Sequence, residues 1–96
     1  MAHKWTEKED EICVDAVFKE YVDKTPLNSF LEKMSKKMPQ VPQKSIRAKI
    51  QNIKWLLDEH EIVNLVPITG LSKASQQGKD VFEKALNKRL QNKQGK

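Results

Sequence analysis

A chain of 96 residues with 38% apolar and 32% charged side chains closes one modest hydrophobic core and leaves no room for a separate catalytic domain. Its formal net charge of +5 is unevenly spread: residues 1–23 carry three Lys against seven acids, net −4, whereas residues 24–96 carry fifteen Lys and Arg against six acids, net +9. An acidic opening and a basic remainder point to a polyanionic partner on one side of the molecule. The single cysteine, Cys13, excludes a disulfide framework and suits a reducing cytoplasm, nucleoid-associated if the chain is bacterial. MAHKWTEKED holds no apolar signal region, and no run approaches the ~18 apolar residues of a membrane span, so neither secretion nor membrane insertion is expected.

In chain order, Thr6 and Glu9 announce the first helix. They form a capping box in which hydroxyl and carboxylate each satisfy a backbone N–H that the helix leaves free. Glu7, Glu9, Asp10 and Glu11 also suit the positive end of the helix dipole. The helix starts at about Glu7, with Ile12, Ala16, Val17 and Tyr21 as its inner stripe, widened by Cys13, Val14 and Phe18, and stops before Thr25-Pro26. Trp5, just outside the cap, folds back on the core. Leu27, Phe30, Leu31, Met34 and Met38 keep helical spacing with Glu32, Lys33, Lys36 and Lys37 outside, which predicts a second helix from about Pro26 or Leu27 to Lys37. Pro39 and Pro42 forbid its continuation. A third helix covers about residues 43–58. Acids at Asp58 and Glu59 oppose its dipole, so its end is expected to fray. EIVNLVPITG, closed by Pro67 and Gly70, is too brief to assign and could be extended. Val81, Phe82, Ala85, Leu86, Arg89 and Leu90 mark a fourth helix from about Ser75 to Leu90, and residues 91–96 read as a polar tail. The expectation is a single all-α domain over residues 1–90, with three helices as its core and the fourth as a brace.

The third helix has two opposite faces. Ile46, Ile50, Ile53 and Leu57 fall in one apolar stripe, and Lys44, Arg47, Gln51 and Lys54 occupy the other side. Three helices in sequence, the third entered through a proline-punctuated turn and basic on its outer face, form the plan of a helix-turn-helix unit. Double-stranded DNA is the partner this chemistry suits: cations meet phosphates, and planar multi-donor side chains read base edges. Arg47 can donate two hydrogen bonds to guanine and Gln51 can pair with adenine, each discriminating by roughly 1–3 kcal/mol. Lys44 and Lys54 suit phosphates, Ser45 and the backbone N–H groups around it suit an oxygen anion at the helix start, and Lys36 and Lys37 suit the flanking backbone. Trp55 lies opposite the isoleucine stripe, which leaves two roles open: packing on the fourth helix, or anchoring a partner.

Trp5-Thr6, followed by Glu9-Asp10 and then Ile12 and Val17, resembles the opening of a Myb or SANT domain, in which a W-[ST]-x-x-E-[DE] pattern begins the first helix. Phe30 and Ile50 stand where such a repeat has further large core residues, so the likeness is to a divergent Myb-like module. SIRAKIQNIKWLL followed by GLSKASQQGKDVFEKAL is similar to the N-terminal region of some bacterial HNH-type restriction endonucleases. These resemblances imply a Myb-like helix-turn-helix that binds DNA, associated with a restriction or nuclease system, with Arg47, Ala48 and Gln51 at the base-facing positions.

An enzyme is not expected, because the chain has no P-loop, no G-x-S-x-G, no H-E-x-x-H and no HNH-like His/Asn set. His3 and His60 have no second ligand at metal spacing, so no metal, cofactor or small-molecule substrate is expected. Two further readings share the fold: a SANT-like protein-interaction module, whose binding would depend on Trp55, and a small inhibitor or regulator of a DNA-processing enzyme. A homodimer or a protein partner is compatible with each, since one small module binds DNA weakly by itself.

Overall fold

The computed structural model describes residues 3–20, 26–62 and 66–94, and side chains at all of these except 19, 20 and 89–94. Four helices follow one another with no strand among the described residues: α1 (Glu7–Glu20), α2 (Leu27–Lys37), α3 (Gln43–Glu59) and α4 (Gln76–Gln94). α1 packs most extensively on α4, α2 on α3, and α1 also crosses α3. The fourth helix runs to Gln94, four residues past the expected Leu90, so most of the segment read as a tail is helical.

The start of α1 follows from its sequence. Glu9 N–H donates to Thr6 Oγ1 at 3.2 Å, and Thr6 N–H donates back to Glu9 Oε1 at 3.0 Å, which closes the capping box. The buried stripe of this helix is Cys13, Val14, Ala16 and Val17, while Ile12 is only partly covered; Tyr21 lies outside the described residues. Burial pushes the Cys13 thiol up to about 12, so it is a small core group and not a nucleophile.

α2 buries Phe30, Leu31 and Met34, and α3 buries Ile46, Ile50, Ile53, Leu56 and Leu57. Each such side chain, fully covered, contributes about 1.5–3 kcal/mol of transfer free energy. Between the two helices Met38 and Val41 turn inward, and Val41 N–H donates to the Met38 carbonyl at 3.0 Å. Pro42 sits at the start of α3 with φ −59°, where its missing N–H costs the helix nothing. From α4, Val81 and Phe82 complete the core, and Phe82 stacks on Phe18 with ring centroids 5.7 Å apart.

The end of α3 is closed, not frayed. Glu61 takes the left-handed conformation, φ 57°, and Ile62 N–H reaches back to the Leu57 carbonyl at 2.9 Å. This is a Schellman-type cap, and the partly buried Ile62 supplies the apolar contact that accompanies it. Two acids opposed to the dipole weigh less than this closure.

Candidate nucleic-acid interface

The direction in which α3 faces is set by a buried polar cluster. Lys49 lies inside the apolar stripe of α3 and is only 6% exposed; its ammonium meets Asp10 Oδ1 at 2.7 Å. Asp10 is fully buried on α1 and accepts a second contact, from Gln77 Nε2 of α4 at 2.7 Å. Gln77 Nε2 also donates to the Trp5 carbonyl at 3.0 Å, and the Lys49 ammonium stands 4.7 Å from the centre of the Trp5 ring. Lys49 from α3 and Gln77 from α4 thus both meet Asp10 of α1 and Trp5 of the N-terminal arm, which ties the four together. Gly78, on the first turn of α4, lies close to this cluster: a Cβ there would stand 3.2 Å from Ser75 Oγ and 3.4 Å from Lys49 Nζ.

A second cluster fixes the turn before α3. The Glu9 carboxylate accepts the Thr6 N–H, contacts His3 Nε2 at 2.9 Å and accepts Gln40 Nε2 at 2.8 Å. Those contacts, the Thr6 backbone bond foremost, hold its carboxyl down to about 2. Gln40 lies in the α2–α3 turn, so the cap of α1 also positions the start of α3.

The residues expected to meet DNA divide into two groups. Lys36, Lys37, Lys44 and Arg47 are exposed, and Ser45 is half-exposed beside them. They occupy the end of α2 and the first half of α3. The Ser45 N–H is already donated to the Pro42 carbonyl at 2.9 Å, which leaves the earlier N–H groups of the helix for an anion. Gln51 and Lys54 do not join this surface as expected. Gln51 is half-buried and donates its carboxamide to the Thr69 carbonyl at 3.2 Å, while its own carbonyl receives Leu71 N–H at 3.0 Å. Lys54 pairs along the helix with Asp58 at 3.1 Å.

For Gln51 the cause is the connection between α3 and α4. Residues 66–75 run irregularly across the outer side of α3, and Gly70 lies so close that a Cβ would stand 3.0 Å from Trp55 Cα. Trp55 is half-buried beneath this segment, which answers why an indole sits opposite the isoleucine stripe. At the far end of the segment Ser75 caps α4, its Oγ accepting Gly78 N–H at 3.0 Å.

Sequence reasoning missed the Asp10–Lys49–Gln77 cluster. A signal was present: Lys49 falls within the stripe of Ile46, Ile50 and Ile53, where a cation needs a buried partner. Which of the early acids supplied it was not legible, because four of them stand in five consecutive positions. Among the described residues no group of His, Cys, Asp and Glu is placed to hold a metal ion, and no helix is long and apolar enough to cross a membrane. Comparison of the chain with protein-family models, curated proteins and solved structures found no match.

Proposed function

We propose that this protein is a non-enzymatic, double-stranded DNA-binding module of Myb-like helix-turn-helix type that reads DNA through the first half of α3. The observation that carries this reading is the exposed row formed by Lys44 and Arg47 beside half-exposed Ser45, flanked by Lys36 and Lys37 from the end of α2. Recognition helices of this type contact base edges with their N-terminal residues, and that is the part of α3 the connection leaves uncovered. Arg47 is the candidate for base contact, as a bidentate donor to guanine; Lys44, Lys36 and Lys37 meet phosphates, and Ser45 assists at the helix start. Gln51 drops out of the reading set, its carboxamide being engaged with Thr69, while Lys54 shares its charge with Asp58 in an exposed pair that a phosphate can compete with.

The protein-interaction alternative relied on Trp55 as an anchor, and the cover of Gly70 over Trp55 weighs against it. Fluorescence anisotropy on a labelled duplex tests the proposal. Replacing Lys44 and Arg47 together by Ala is expected to weaken binding by about 10- to 100-fold at constant salt, whereas Gln51→Ala leaves it within about twofold. A Lys44→Ala/Arg47→Ala protein that binds duplex as the wild type does would remove α3 as the reading element.

A further inference from the structure

Beside the uncovered half of α3 lies a cleft of about 420 Å³, bounded by the N-terminal arm, α3 and the approach to α4. Ser45, Ala48 and Asn52 line it from one side of α3, at helical spacings that place them on a common face. Two of these side chains are small, which is what opens the space. Trp5 lines it as well, with the Lys49 ammonium, which is paired with Asp10, 4.7 Å from the centre of its ring and the His3 ring edge-on to it at 5.3 Å. Lys73 stands exposed at the rim.

Asn52 is the informative residue. Its Oδ1 is buried and has no hydrogen-bond partner. Buried polar atoms are nearly always satisfied, so one that is not calls for an explanation in a native fold. As it stands that oxygen has no surface open to the cleft, and a half-turn of the carboxamide about its last torsion exchanges it with the N–H₂, so either group can be presented there. The cleft thus offers a flat aromatic wall, a carboxamide that accepts or donates, and a cation at its mouth. A ligand that answers all three has a planar ring, an edge of donors and acceptors, and a negative charge. A nucleotide has this combination, whereas no single protein side chain unites a hydrogen-bonding planar ring with an anion. Ser45 and Ala48 also make the cleft continuous with Lys44 and Arg47 along α3.

We infer that the cleft holds one unstacked nucleotide of the nucleic acid bound on α3, its base against Trp5, its polar edge on Asn52 and its phosphate near Lys73. This rests on the nucleic-acid reading above and adds to it a site for a base taken out of the stack.

The test compares two fluorescein-labelled duplexes by anisotropy at one salt concentration, one fully paired and one carrying a single bulged nucleotide. The wild-type protein is expected to bind the bulged duplex about tenfold more tightly, in line with the gain from one stacked base. Asn52→Leu, which keeps the shape of the side chain and removes its hydrogen-bonding groups, is expected to abolish that preference while leaving affinity for the paired duplex unchanged. Lys73→Ala, a surface change that spares the packing, is expected to reduce the preference severalfold and supplies the answer if Asn52→Leu does not fold. Equal wild-type affinity for the two duplexes, or a preference that survives both substitutions, overturns the cleft site while the α3 reading stands. Binding of neither duplex overturns both.

Discussion

Removing the Lys49 ammonium while Asp10 stays in place strands a fully buried carboxylate, and that sets the sign and size of the effect. Lys49→Met is expected to lower stability by about 3–5 kcal/mol in urea unfolding, and Asp10→Asn in the same chain to restore part of it, because a neutral amide needs no counter-charge. The pair is no evidence of large net stabilisation, since desolvation opposes the attraction; its structural effect is to fix how α1, α3 and α4 meet. Glu9 behaves differently. Its folded carboxyl is held near 2 against an ordinary value of 4.5, so the stability it contributes is fully present above about pH 4.5 and is lost as pH falls towards 2. Glu9→Gln is expected to flatten acid unfolding across that window, followed by circular dichroism, with little dependence on pH above 5.

At the level of elements, the helix starts and stops were legible because their causes are local. Thr6 and Glu9 close a box within four residues, and Pro39 and Pro42 break the chain wherever they stand. The path of residues 66–75 was not legible, since it depends on contacts with α3 some eighteen residues away, between Gln51 and Thr69. Gly70 makes the close approach possible. Gly70→Ala places a methyl 3.0 Å from the Trp55 backbone, and the segment must shift to relieve it, at a cost of about 1–3 kcal/mol. In a Trp5→Phe background the remaining indole, Trp55, is expected to shift its emission to the red as the segment lifts. An unchanged spectrum and an unchanged unfolding midpoint would show that α3 tolerates the methyl and that the cover is loose. The closure of α3 at Glu61 was hidden for a related reason: a left-handed Glu is uncommon, and the contact that rewards it, Ile62 on the core, is tertiary.

Across the whole molecule the charge asymmetry becomes spatial. The acids of α1 are divided: Glu9 and Asp10 turn inward to hold the arm, the α2–α3 turn and Lys49, while Glu7, Glu11 and Asp15 remain exposed. On the proposed DNA surface the exposed cations are Lys36, Lys37, Lys44 and Arg47. With roughly four phosphates neutralised, log K for duplex DNA is expected to fall against log salt with a slope of about −3 to −4, read from a titration series in NaCl. A slope near zero would point to a partner held by apolar contact instead. The amino-acid sequence by itself determined the four helices, their apolar stripes and the basic outer face of α3, because periodicity, caps and prolines act over a few residues. Only the tertiary structure decided which part of that face is free. Whether Gln51 and Lys54 point at a ligand or at their own protein depends on the connection laid over α3 and on an ion pair within it, and side-chain spacing along one helix carries no information about what another segment places on top of it.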